Sequence, residues 1–161
     1  MTRAMRLLIF VSCGWLICTY AGAQTLKFVG VDGRTSSITA AQFASLPHVS
    51  ASVSEHDKPA QFDGVPLAAV LSLAGVQLGD ALRGSRMTEV LLVSASDGYK
   101  VTFALAEIDP AFAVREIILA DKRDGKPLDS REGPFRIVAP GDKRPARWIR
   151  KVAELKVVSA K

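Results

Sequence analysis

Val90-Leu91-Leu92-Val93-Ser94-Ala95-Ser96-Asp97-Gly98-Tyr99-Lys100-Val101-Thr102-Phe103-Ala104-Leu105 decides the kind of fold this chain makes. Residues 90–95 are a near-continuous apolar run, which predicts a central strand covered on both sides. Asp97-Gly98 marks a tight turn, since glycine accepts the positive φ such turns require, and residues 100–105 return as the second strand of a hairpin.

Short elements punctuated by turn signals continue outward in both directions. Residues 26–31 predict a strand, Asp32-Gly33 a turn and residues 35–38 the returning strand. Thr39 is placed to cap a short helix through Leu46, which Pro47 ends. Residues 48–54 alternate small apolar and polar side chains, as a half-buried strand does. The clearest helix spans residues 65–74, with Pro66 in its first turn. Its buried face is Leu67, Val70, Leu71 and Ala74, and Gly75 stops it. Residues 77–84 read as a loop or short helical turn. Strands follow at 117–120 and 136–139, separated by the turn-rich stretch 124–134, and residues 153–158 form the last. The expectation is a single α+β domain: mixed, mostly antiparallel, multi-layered in β-structure, with a few short helices.

The first 23 residues read differently. Arg3 and Arg6 precede an apolar run from Leu7 to Ile17, and Ala21-Gly22-Ala23 supplies small residues for cleavage. This predicts a signal peptide over residues 1–23, a domain over residues 24–161, and a periplasmic location with no stable membrane insertion after cleavage. Both cysteines, Cys13 and Cys18, lie in the signal segment. Residues 24–161 therefore offer no thiol for disulfides, catalysis or metal binding. Arg3 and Arg6 are two of the 21 basic side chains, whereas none of the 16 acidic ones precedes residue 24, so the net charge falls from +5 to +3 on cleavage. Export, that small charge and a lack of aromatics among the basic residues argue against nucleic acid as a partner.

Several segments, read in order, carry a resemblance. They are Phe62-Asp63-Gly64-Val65-Pro66-Leu67 with Val70-Leu71, then Ser96-Asp97-Gly98-Tyr99, then Leu119-Ala120 with Gly125-Lys126-Pro127-Leu128. Gly133-Pro134-Phe135-Arg136-Ile137-Val138-Ala139-Pro140-Gly141 and Arg147-Trp148-Ile149 complete the set. Over about residues 38–158 the chain resembles the molybdopterin-binding domain of sulfite oxidase-type oxidoreductases, especially the small exported proteins that carry this domain alone. The resemblance implies a pterin cofactor with a phosphate tail. It also implies molybdenum held by the pterin's two sulfurs plus one protein cysteine, and oxygen-atom chemistry at the metal. In that family the cysteine lies before the Gly-Val-Pro-Leu segment. Here the corresponding stretch is His48-Val49-Ser50-Ala51-Ser52-Val53-Ser54-Glu55-His56, which has none. A serine hydroxyl does not replace it, because its alkoxide is too basic to form near neutral pH.

Candidate binding residues follow from this resemblance and from charge. Arg136, Lys143, Arg144, Arg147, Arg150 and Lys151 crowd the last third of the chain, and Arg forks suit phosphate. The resemblance places Arg136, and approximately Arg147, against the pterin cofactor, and puts the Asp97-Gly98-Tyr99 loop near its cleft. The cofactor-binding set is therefore Arg136, Arg147, Lys143, Asp97 and Tyr99, with no catalytic or metal-ligating residue assigned. The same cations also fit a solvated surface paired with Glu132, Asp142 and Glu154. Likewise, Asp97-Gly98-Tyr99 fits a plain hairpin turn. His48, Glu55, His56 and Asp57 include the only two histidines, but neighbours on an extended chain point apart, so an exposed polar turn is expected there. Trp148 is expected to anchor the last strand to the core.

The functional expectation is an exported, non-catalytic module that binds a small anionic ligand, such as a pterin or phosphate compound, or a periplasmic protein partner. Molybdopterin, if bound, would lack protein thiolate ligation. The alternative is an active molybdopterin-dependent oxidoreductase with an atypical metal ligand set. In a third class, a structural or regulatory module, Phe62 or Tyr99 would fill a collapsed cleft.

Overall fold

The structure is a computed structural model that describes residues 25–114 and 116–159. The expected signal segment lies outside the described residues. Two sheets hold the domain together. The first runs β2 (Thr35–Thr39), β1 (Thr25–Val29), β10 (Val152–Ser159), β5 (Glu89–Ala95), β6 (Lys100–Ala104). The second runs β3 (Val49–Glu55), β4 (Lys58–Pro66), β7 (Ile118–Arg123), β8 (Lys126–Pro127), with β9 (Arg136–Val138) also paired to β7. Only the β1–β10 pairing among these is parallel, so the mixed, mostly antiparallel α+β architecture expected from the sequence is the one observed.

β5 sits between β10 and β6, with Val93 opposite both Leu155 and Val101. Leu91, Val93 and Ala95 are buried, while Val90, Leu92 and Ser94 are half-buried, so one face is sealed and the other only partly covered. The hairpin turn forms at Asp97-Gly98, where Gly98 takes φ 90°. Thr39 caps α1 (Ala40–Ala44): its Oγ1 accepts from the Gln42 amide (3.2 Å) and Gln42 Oε1 accepts from the Thr39 amide (2.9 Å). α1 ends earlier than Leu46. Residue 105, expected in a strand, opens α3 (Leu105–Ile108) instead.

The expectation for residues 65–74 is corrected at its start. Val65 and Pro66 pair with Leu119 and Ile118 of β7, and α2 runs Leu67–Leu73 with Pro66 just before it. Leu67, Val70 and Leu71 are buried as the spacing predicted, whereas Ala74 lies just past the helix and is half-buried. β4 as a whole escapes the sequence reading. Pro59 sits ahead of the part that pairs with β7, so its missing N–H costs no bond on that side. Gly64 sits where a Cβ would collide with the Leu119 carbonyl and Ala120 Cα. The β3–β4 hairpin turns at His56-Asp57, both exposed and both at positive φ (51° and 63°), the twist that two-residue hairpins favour. Buried residues from both sheets and α2 form one continuous core, including Leu26, Phe62, Leu71, Leu91, Leu119, Ile137 and Leu155.

Candidate functional site

The five residues expected to line one cleft do not converge on one. Arg136, on β9, is 1% exposed. It gives its two terminal nitrogens to carboxylates: Nη2 to Glu55 Oε1, and Nη1 to Glu132 Oε1 at 2.7 Å. Arg123 bridges the same acids at 3.2 and 3.1 Å. Both guanidiniums lie over the Phe62 ring, at 4.8 Å for Arg136 and 5.3 Å for Arg123. Two arginines facing two glutamates make the cluster neutral within itself. Burial alone would raise the Glu55 carboxyl, but the Arg136 hydrogen bond and charge, with Arg123 and His56 adding, hold it below the usual carboxylate range. Arg136 Nε is buried without a partner. Phe62 is wholly buried beneath these cations.

Arg147 ends the 3-10 turn Pro145–Arg147 and is equally committed. It meets Asp142 at 2.7 Å and Glu107 at 3.0 Å, and its guanidinium sits 4.5 Å from the Phe103 ring centroid. Hydrogen bonding to Asp142, opposed by burial and reinforced by Glu107, strengthens its hold on the proton. Lys143 and Arg144 are exposed. Glu132 and Asp142 thus take the pairing role the sequence allowed them, whereas Glu154 pairs with Lys27 at 2.6 Å. Trp148 is buried, its indole N–H donating to the Ala139 carbonyl (3.0 Å).

Asp97 and Tyr99 do come together. They share a shallow groove of about 350 Å³ with Arg131, Arg150 and Lys151, while Arg136, Lys143 and Arg147 are not among its lining residues. Asp97 accepts from the Tyr99 amide (3.0 Å), and the half-exposed Tyr99 donates its hydroxyl to the Ala146 carbonyl (2.9 Å). Both roles are those of a hairpin turn packed on its neighbour.

A larger groove, of about 1010 Å³, opens elsewhere. One wall is Val49, Ser50, Ala51 and Ser52 of β3, and another is Ala68, Ala69 and Ser72 of α2. Leu78, Gly79, residues 108–111, Ala113, Val114 and residues 116–118 close the rest, with Pro66 and Pro140. Its charged lining residues among those described are Asp109 and Glu116. Asp109 is 1% exposed, with Oδ2 accepting from the Gly79 amide and Oδ1 from the Ala111 amide. Glu116 is exposed, as are Phe112 and Val114. Ser50 donates to Asp63 (2.5 Å), and this bond, with help from Gln61, Lys122 and His48, holds the Asp63 carboxyl low against burial. Among the described residues no group of three or more His, Cys, Asp or Glu side chains could hold a metal ion, and no helix is long and apolar enough to cross a membrane. This groove carries no motif along its far wall, which includes residues 108–111, Ala113, Val114 and Glu116; the one signal in the sequence is the apolar Ala111-Phe112-Ala113-Val114 outside any strand or helix.

The oxidoreductase molybdopterin binding domain matches residues 24–161. The chain is also similar in fold to the sulfane dehydrogenase SoxCD from Paracoccus pantotrophus, with a TM-score of 0.65 and 16% identity. That similarity covers 84% of this chain but 38% of the SoxCD chain, so this protein spans well under half of its length. No curated protein matches the sequence.

Proposed function

The chain belongs to the oxidoreductase molybdopterin-binding domain family, and within that family we propose that it is an exported, non-catalytic module that binds a protein partner through its large groove. The observation that carries this reading is the groove's donor set. Its β3 wall, in the stretch ahead of Gly64-Val65-Pro66-Leu67, offers Ser50, Ala51 and Ser52. Thiolate-held molybdenum does not fit these side chains, and both cysteines of the chain precede residue 24. Nor do the described charged lining residues, the acids Asp109 and Glu116, supply a cation for the phosphate tail of a pterin. A wide, mostly apolar groove is instead the kind of surface that takes apolar side chains.

The anionic-ligand reading has a separate home in the shallow groove, where Arg131, Arg150 and Lys151 gather beside Tyr99. Arg136 and Arg147 are already neutralised by four carboxylates between them, which weakens the case for either as a phosphate anchor.

Reconstitution tests the proposal. Purified protein is incubated with molybdopterin released from a donor enzyme, together with molybdate, and passed over a sizing column. The expected result is no pterin eluting with the protein. Stoichiometric pterin that survives the column would overturn the reading and favour the alternative, an active oxidoreductase with an atypical ligand set.

A further inference from the structure

We propose that the shallow groove beside Tyr99 is a binding site for a phosphate-type dianion, held by Arg131, Arg150 and Lys151. The inference is independent of the partner-binding reading of the large groove, whose lining these three residues do not share.

Folding brings the cations together. The segment that carries Arg131 is laddered to the one that carries Arg150 and Lys151. The Lys151 amide donates to the Glu132 carbonyl (2.8 Å) and the Val152 amide to the Phe135 carbonyl (2.9 Å). Asp129 Oδ1 accepts from the Arg131 amide (2.8 Å), and the Lys151 carbonyl accepts from the Ser96 amide (3.0 Å) beside the Asp97-Gly98 hairpin. Like charges held side by side cost stability. Arg34, Arg86, Arg123, Arg136 and Arg147 each meet a carboxylate. Among the described residues, Arg131, Arg150 and Lys151 form no ion pair.

The rest of the chain does not hide a counter-charge, since no Asp or Glu lies outside the described residues. Asp97 is the acid of the groove's described lining, and its Oδ1 accepts from the Tyr99 amide (3.0 Å). Three cations against one carboxylate leave the groove positive. On their other side Arg131 and Arg150 border Asp124, Asp129 and Glu132. Those acids are engaged: Asp124 and Glu132 pair with Arg123, and Asp129 takes the Arg131 and Glu132 amides.

A phosphomonoester, with three terminal oxygens and a charge of about −2, matches three cations better than a carboxylate does. Buried Trp148 and Ile149 back the groove, so its field is screened less than on an open face. Lys151 sits at φ 52°, where glycine is the less costly residue, just before the register shift at Val152 in β10. The fold thus holds a cation where its backbone disfavours any side chain, at a bulge of the kind that re-aims side chains.

The test titrates isotope-labelled protein with inorganic phosphate at mildly alkaline pH, following amide NMR shifts, against sodium chloride at matched ionic strength. A second arm sediments the protein with phosphatidylglycerol vesicles. Saturable shifts at Tyr99, Arg131 and Lys151 are expected with phosphate and not with chloride. Arg150→Gln should weaken binding about tenfold. Lys151→Gly should weaken it similarly while raising the urea midpoint, because glycine relieves the backbone there; a solvated basic face would show the second effect without the first. Shifts that do not saturate, or that chloride reproduces, would overturn the proposal. Vesicle binding without saturable phosphate binding would overturn it too, in favour of diffuse attraction to a lipid surface. Vesicle binding that inorganic phosphate displaces would support the site and make a lipid headgroup the source of its phosphate.

Discussion

Arg136 and Glu55, 81 residues apart in sequence, form an ion pair inside the second sheet, both less than a tenth exposed. The pair ties β9 to the far end of β3, so an arginine that resembles a cofactor contact in sequence is a structural tie in the fold. Replacing one member of a buried pair leaves the other charged and unpaired. Arg136→Met should therefore destabilise the domain by about 3 kcal/mol, read from urea unfolding. A change within a few tenths of a kcal/mol would show that Arg123 alone satisfies both glutamates.

Two carboxylates, Glu55 in this cluster and Asp63 on β4, set an acid limit on stability. Glu55 and Asp63 both titrate below their ordinary values in the folded domain. The unfolded chain thus takes up protons first as pH falls. Their stabilisation is fully present above the usual carboxylate range of about 4 and is lost as pH drops through the lower folded values. Urea midpoints measured from neutral pH downward should hold level and then fall below that range. Glu55→Gln should flatten the fall, and an unchanged slope in that variant would contradict the assignment.

Gly64→Ala tests how closely β4 and β7 approach. The added methyl meets backbone, which cannot rotate away. The expected cost is about 3 kcal/mol, at the upper end for overpacking, or failure to accumulate folded protein. Near-wild-type thermal unfolding would mean the strands separate easily.

Much of this architecture is written locally. Asp97-Gly98 fixes its hairpin through backbone geometry, Thr39 caps α1 through a side-chain oxygen, and Leu67, Val70 and Leu71 declare the face of α2 by spacing. β4 is not written that way. Ala60 and Gly64 carry too little apolar surface to mark a strand, and Pro59 argues against one. The fate of the cations was equally hidden, because what decides it is distant: Glu55 reaches Arg136, and Glu107 reaches Arg147, only after folding. Charge counting along the chain could see a basic cluster but not which members were already spoken for. The groove combines segments far apart in sequence, and only its β3 wall drew attention as part of a site, for the cysteine it lacks.

Export has its own consequence. Under the proposal the protein in the periplasm begins at Gln24, and intact-mass measurement of material released by osmotic shock should show that start. Retention of residues 1–23 in a membrane fraction would instead make the apolar run an anchor.

The central claim is that this family member works without metal held by a protein sulfur. Its most direct test is the molybdenum content of protein isolated from its native compartment, measured by plasma mass spectrometry alongside pterin fluorescence after oxidation. Far less than one molybdenum per chain and no pterin signal are expected. One molybdenum per chain, with pterin to match, would contradict it.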